Sequence, residues 1–384
     1  MDTKMVMPET TAAQALGWVE GETKAISPVI HTSTTYIRDA DNQYRNGRVY
    51  ARDHNPAFDQ AEAVLCELEK GAKAALFASG MAAATAVFMA LKPGNHVIAP
   101  KVMYWSLRNW LANFATQWGL QVEFVDMSNP DELKRAVRLG KTRLVWVETP
   151  ANPLWTITDI AAAAEIARAG GAMLAVDSTT ASPVLTRPLT LGADIVMHSA
   201  TKYLNGHSDV IAGALVARED SDYWQRVKAV RAQIGGTLGS FEAWLLLRGM
   251  RTLFLRVNAA SRSAQILAEF LQGHELVEEV LYPGLPGFAG HDIASQQMHG
   301  GFGGMLSVRV KGGEAAAVGT AAHVSIWKRA TSLGGVESLI EHRSSVEGTN
   351  SPVPNDLLRL SAGIENVDDL IDDLDQALLR GHRT

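Results

Sequence analysis

Asp194-Ile195-Val196-Met197-His198-Ser199-Ala200-Thr201-Lys202 decides how this chain is read. A largely apolar, strand-like run over 194–198 ends on a lysine that follows two hydroxyls. A lysine there can form a Schiff base with an aldehyde cofactor, and the hydroxyls can donate hydrogen bonds to a phosphate. Upstream, Met173-Leu174-Ala175-Val176 is a second apolar run, closed by Asp177. A carboxylate and a lysine at two strand ends are what pyridoxal phosphate needs at the two ends of its ring. The carboxylate would pair with a protonated pyridine nitrogen, and the lysine would take the aldehyde.

Further strands are expected over 74–77, 96–99, 122–126, 143–148 and 212–216, with helical patterns such as 159–169 separating most of them. Apolar strands alternating with helices predict an α/β fold with a mostly parallel sheet covered on both faces. Beyond about residue 245 the texture changes. A helical pattern over 253–271 precedes a glycine-rich strand over 300–310, and an acidic amphipathic helix over 367–379 closes the chain. These shifts predict an N-terminal arm over 1–50, a large cofactor-binding domain over 51–245 and a smaller C-terminal α+β domain over 246–384.

Composition narrows the field. The chain has 384 residues, 47% hydrophobic and 20% charged, which suits a large folded core rather than disorder. A net charge of −6 with no basic block argues against nucleic acid as a partner. Met1-Asp2-Thr3-Lys4-Met5 lacks the apolar centre of a signal peptide, and no apolar stretch is long enough for a bilayer. The single cysteine, Cys66, excludes an internal disulfide and suits a reducing compartment, so a cytoplasmic location is expected. It lies in a helical pattern and is expected to be buried and inert. The eleven histidines show no metal-ligand spacing, and no metal is expected.

Other residues gain meaning beside Lys202 and Asp177. Ser79-Gly80-Met81 opens an alanine-rich helix after a short strand; free amides there suit a phosphate, although Ser79 as a plain N-cap is the simpler alternative. Tyr104, just past the strand over 96–99, could stack on a cofactor ring or fill the core. In Glu148-Thr149-Pro150-Ala151-Asn152-Pro153, Asn152 is either aimed at a ligand or part of an Asx-turn. Arg359, among apolar neighbours, is either ion-paired or holds a substrate carboxylate. Tyr50 and Arg52 could offer a phenol and a guanidinium to a phosphate.

Together these segments resemble the transsulfuration enzymes of Cys/Met metabolism, pyridoxal-phosphate enzymes of the aspartate-aminotransferase fold type, fold type I. The matching anchors are Tyr50-Ala51-Arg52, Ser79-Gly80-Met81-Ala82-Ala83, Glu148-Thr149-Pro150-Ala151-Asn152-Pro153, Val176-Asp177-Ser178-Thr179 and Ser199-Ala200-Thr201-Lys202. Ser332-Leu333-Gly334-Gly335-Val336-Glu337-Ser338 and Arg359-Leu360-Ser361-Ala362-Gly363 continue the match. The resemblance implies that Lys202 is the Schiff-base lysine and proton carrier, Asp177 the pyridinium partner, Tyr104 the stacking ring and Asn152 the contact to the ring hydroxyl. Gly80, Met81, Ser199 and Thr201, with Ser79 before them, would hold the phosphate. Arg359, helped by Ser332, would bind the substrate α-carboxylate. Tyr50 and Arg52 would reach a neighbouring subunit's phosphate, in a homotetramer built as a dimer of dimers.

The implied activity is γ-elimination or γ-replacement on a cystathionine-like amino acid. Cystathionine β-lyase, methionine γ-lyase, a γ-lyase for a sulfur-free substrate such as canavanine, and an aminotransferase of the same fold are the alternatives. The chain also departs from the family pattern. Trp105-Ser106-Leu107-Arg108 follows Tyr104 in place of small residues, the cysteine common there in methionine γ-lyases is absent, and Arg343 stands where the family often has proline. Bulk at Trp105 and charge at Arg108 or Arg343 are expected to reshape the leaving-group pocket.

Overall fold

A computed structural model of the chain describes residues 6–348 and 353–383. Seven strands form the larger sheet: β1 (Lys73–Phe77), β2 (His96–Pro100), β3 (Gln121–Val125), β4 (Thr142–Glu148), β5 (Met173–Asp177), β6 (Ile195–His198) and β7 (Gly213–Ala217). They are ordered β1-β7-β6-β5-β4-β2-β3, and only β7 runs against the rest. Each strand expected in this sheet is present, with its ends within a residue of the expectation.

Successive side chains of a strand point to opposite faces, and here the apolar runs feed two separate cores. Val145, Val147, Leu174, Val176, Val196 and Val216 enter one, while Leu144, Trp146, Ala175, Ile195, Met197 and Leu215 enter the other. That is why the central strands read as continuous hydrophobic runs. After β3 at one edge, the chain returns to β4 on the other side of β2, so the order reverses between β2 and β4. Sheets of this type open a crevice at such a switch point, outside the carboxyl ends of the strands.

The second sheet contains β8 (Val277–Leu281), β9 (Met305–Val310), β10 (Lys328–Arg329), β11 (Leu339–His342) and β12 (Leu357–Ser361), in the order β10-β11-β12-β9-β8. Helices Leu253–Gln272 and Val367–Gly381 pack against it over a third core. The glycine-rich strand expected over 300–310 is shorter than the sequence suggested. Gly301 and Gly303 have φ of +144° and +91°, which strand geometry does not accept, so pairing starts only at Met305. Cys66 is half-buried rather than buried, with Sγ 3.2 Å from the Gly71 carbonyl oxygen. Among the described residues, no helix is long and apolar enough to cross a membrane.

The two sheets are joined beneath the crevice. Trp155 Nε1 donates to Ser307 Oγ at 2.9 Å, and that hydroxyl donates to the Pro153 carbonyl at 2.8 Å. Both side chains are buried. Near the crevice rim, Gly213 allows β7 to lie against the turn after β1, because a Cβ there would stand 2.1 Å from the Ser79 carbonyl oxygen. Gly213→Ala is expected to cost roughly 2 kcal/mol of stability in chemical denaturation, through backbone displacement in a packed region. A loss below about 0.5 kcal/mol, the level of an ordinary surface substitution, would contradict this account.

Candidate active site

Lys202 lies on a tight turn after β6. Its own N–H donates to the Ser199 carbonyl at 3.0 Å, and its carbonyl accepts from Gly206 N at 2.8 Å. Arg256 fixes the far side of the turn from the helix Leu253–Gln272, donating to the carbonyls of Tyr203 at 2.8 Å and Gly249 at 2.7 Å. Gly206 (φ +72°) leaves room for that guanidinium, since a Cβ would lie 1.7 Å from Arg256 Nη1. The Lys202 amine donates to Ser332 Oγ at 2.7 Å. Burial, and then the neighbouring charges of Arg359 and Arg343, lower its pKa to about 8 against the opposing pull of Glu341.

The amine lines a cavity of about 320 Å³. Ser79, Gly80, Met81, Tyr104, Asn152, Asp177, Ser199, Thr201, Ser332 and Arg359 line the same cavity, so eleven sequence-selected residues converge there. At one end the helix Gly80–Met89 begins, with Ser79 Oγ accepting from Ala82 N at 3.0 Å. First-turn amides have no partner within a helix, so those of Gly80 and Met81 form an anion cup. Ser199 closes its side: a Cβ on Gly80 would stand 2.8 Å from Ser199 Oγ. The Thr201 hydroxyl accepts from Ala212 N at 3.0 Å and donates to Ala212 O at 3.1 Å, which holds β7 to the lysine turn.

Asp177 ends β5 and is buried. Burial raises its pKa, while two hydrogen bonds from Thr179 and the nearby His198 oppose the shift. Thr179 Oγ1 donates to Asp177 Oδ1 at 2.5 Å and accepts from Ser199 N at 2.8 Å, so one hydroxyl ties the carboxylate to the lysine turn. Glu148 stands opposite Asp177 in the β4–β5 register. Its carboxylate accepts from Tyr104 N at 2.7 Å and Asn152 N at 2.9 Å, joining the loops after β2 and β4. Burial and the Asp177 charge push its pKa up to about 8.

Arg359 enters from β12. It donates to Asn152 Oδ1 at 3.3 Å and the Ser332 carbonyl at 2.8 Å, and pairs with Glu341 at 2.6 Å. Burial lowers its pKa to about 10. Ser332 has φ +89°, a left-handed conformation that costs a non-glycine residue on the order of 1 kcal/mol or more. That conformation lets its side chain take Lys202 and its carbonyl take Arg359.

Two selected residues stay outside. Tyr50 and Arg52 are absent from the cavity lining; the Arg52 guanidinium sits 5.5 Å from the Tyr50 ring centroid, and Tyr50 is 45% exposed. Of the departures from the family pattern, Arg343 lines the cavity, but Trp105 and Arg108 do not. Arg108 turns away, donating to the Lys101 carbonyl at 3.1 Å and lying over the Phe124 ring. Sequence reading gave no role to Glu148, Thr179, Glu341 or Arg256. Glu148 alone carried a legible signal, a carboxylate ending an apolar run as Asp177 does.

The family profile of the Cys/Met metabolism PLP-dependent enzymes matches residues 9–379. The chain belongs to this family. It is 44% identical over 377 residues to a cystathionine gamma-synthase of Mycobacterium tuberculosis, covering 97% of this chain and 96% of that one. A cystathionine gamma-lyase of Bacillus subtilis is 38% identical over 372 residues, covering 94% and 97%. The crystal structure of a cystathionine gamma synthase from Xanthomonas oryzae pv. oryzae, in complex with cystathionine, superposes with a TM-score of 0.94 at 37% identity, covering 99% and 100%.

The family's cofactor, pyridoxal phosphate, fits the residues present. An anion cup of helix amides, a buried carboxylate and a lysine of lowered pKa line one cavity, where phosphate, pyridine nitrogen and aldehyde each need a partner. Only a neutral amine attacks an aldehyde. With a pKa of about 8, roughly a tenth of Lys202 is neutral at pH 7, against less than one in a thousand for an ordinary lysine. Capture of pyridoxal phosphate by the apoenzyme, followed by stopped-flow absorbance, should therefore speed up about tenfold per pH unit below pH 8 and level off above it. A rate still climbing at pH 10 would show an ordinary lysine.

Proposed function

We propose that this chain acts on γ-substituted L-amino acids, with Lys202 as the proton carrier and Arg359 as the carboxylate holder. The observation that carries this reading is Ser332, whose hydroxyl takes the Lys202 amine and whose carbonyl takes the Arg359 guanidinium. A reactive amine and a cation for the α-carboxylate are thereby set a few bonds apart in one cavity. Bound there, pyridoxal phosphate supplies an electron sink for charge developing at the substrate Cα.

The chain's own residues do the rest. Arg359 and Asn152 fix the amino-acid end, so the Cα proton faces Lys202. With the cofactor bound, Lys202 would remove that proton, give it up to the cofactor's conjugated system, and then, neutral again, take one from Cβ, which prepares the γ-substituent to leave. Asp177 would hold the pyridine end of the cofactor and Tyr104 would cover its ring face, while Ser79, Gly80, Met81, Ser199 and Thr201 would seat its phosphate. Relatives named cystathionine gamma-synthase, cystathionine gamma-lyase and L-methionine gamma-lyase support γ-chemistry over an aminotransferase. Purified enzyme should be offered cystathionine, methionine, canavanine, and a homoserine ester with and without cysteine. Keto acid with ammonia, or a new thioether, is the expected product without any amino acceptor. Keto acid formed only with an amino acceptor present would identify an aminotransferase, and no reaction with any of them would remove the γ-chemistry reading.

We further propose a homotetrameric, cytoplasmic enzyme whose arm, over 1–50, and the adjoining Tyr50 and Arg52 complete a neighbour's phosphate site. The exposure of Tyr50 and the absence of Tyr50 and Arg52 from the lining of their own cavity support this. Co-expressed Lys202→Ala and Arg52→Ala chains, each inactive alone, should then recover about a quarter of wild-type activity, because half the dimers carry one intact site of two. Recovery of none would place Arg52 in its own subunit's site, and an active Arg52→Ala chain on its own would place it in no site.

A further inference from the structure

Arg359 is not free to meet a substrate carboxylate with its whole charge, because Glu341 pairs with it at 2.6 Å. A guanidinium already neutralised by a buried carboxylate is a poor anion receptor. Arg343 changes that balance. Its Nη1 lies 3.1 Å from Glu341 Oε2, the same oxygen that Arg359 uses, and its Nε lies 2.6 Å from Glu347 Oε1, one helical turn on. All four side chains are buried. The two arginines line the cavity, while both glutamates lie off the lining. One face of the cluster thus presents guanidinium, and the carboxylates stand behind it.

We propose that Arg343 is a positioning residue for carboxylate binding: by sharing the Glu341 oxygen it leaves Arg359 able to attract the substrate's α-carboxylate. The inference rests on Arg359 as the carboxylate holder. Glu347 anchors Arg343 in place, and Glu341 becomes a bridge between two cations instead of the sole counter-ion of one.

The test separates charge from shape with two non-reacting probes. L-norleucine has the α-carboxylate and no γ leaving group; L-norleucinamide lacks the carboxylate. Each is titrated calorimetrically into holoenzyme. Arg343→Met alone strands Glu347 without this partner, so the variant of record replaces both, Arg343→Met with Glu347→Met, as an apolar pair of similar volume. Norleucine should bind about tenfold more weakly to it, and norleucinamide within about twofold of wild type. Adding Glu341→Gln removes the charge that neutralises Arg359, and norleucine affinity should return to within about threefold of wild type.

Equal weakening of both probes, unchanged norleucine binding, or no recovery with Glu341→Gln would each overturn the proposal. Arg359→Met is the control for the underlying reading. If it weakens norleucine without weakening norleucinamide, Arg359 holds the carboxylate and any failure belongs to Arg343 alone. If it weakens neither selectively, the role given to Arg359 falls first.

Discussion

A carboxylate held dry at the end of β5 is the constraint to which the rest of the site answers. Burying an ionised group costs several kcal/mol unless hydrogen bonds or opposite charge offset it. Asp177 meets that cost locally, through the hydroxyl and amide of Thr179 and through His198 one strand away. His198 is itself held at 2.6 Å by Glu69, the last residue of the helix Pro56–Glu69, with both groups buried. The charge is therefore stabilised by the turn after β5 and by β6, with the helix Pro56–Glu69 holding His198 in place. A cofactor carrying a protonated ring nitrogen would supply the remaining compensation, which is a physical reason for this carboxylate to stay acidic in an apolar crevice.

Lys202 poses the opposite problem. Its amine is useful when neutral, and burial beside Arg359 and Arg343 drives it that way. A neutral amine, however, is a mobile group on a four-carbon stem. The turn that carries it is accordingly rigid: Arg256 satisfies carbonyls on two sides of it, Thr201 is locked to Ala212, and Ser332 takes the amine itself. Precision at the nitrogen comes from hydrogen bonds around it, some of them made by Arg256, which lies off the cavity lining.

The strands of the large sheet were legible because a sheet covered on both faces writes each strand as an unbroken apolar run. Lys202, Asp177 and Ser79 to Met81 were legible because each sits where such a run stops. Glu148 carries the same mark and was passed over, since its work is to accept two backbone hydrogens from loops that meet only in the fold. Arg256 and Glu341 left no trace at all: Arg256 reaches the Tyr203 carbonyl 53 residues earlier, and Glu341 meets Arg359 only through the β11–β12 pairing, contacts that no local pattern encodes. Arg343 stood out only against the resemblance, and its side chain reached the cavity wall where Arg108, equally conspicuous, turned outward over Phe124.

This division also explains how one framework can serve several reactions. The Arg359 end of the cavity is set by mutually bonded groups carried by elements of both sheets, Arg359 on β12 with Ser332 in the loop before β11, and Asn152 and Lys202 in the turns after β4 and β6. The Trp155–Ser307–Pro153 contacts fix those sheets against each other directly below. Shifting any of these groups disturbs several buried hydrogen bonds at once. The remaining wall is different in kind: Leu107, Met81 and Ile211 are apolar, and Ile211 is 68% exposed. Substitution of Ile211 therefore costs little stability, whereas Leu107 is part of the core behind it. The Arg359 end of the cavity is thus tied into the fold by several hydrogen bonds, whereas Ile211 is a wall position that the fold leaves free to vary.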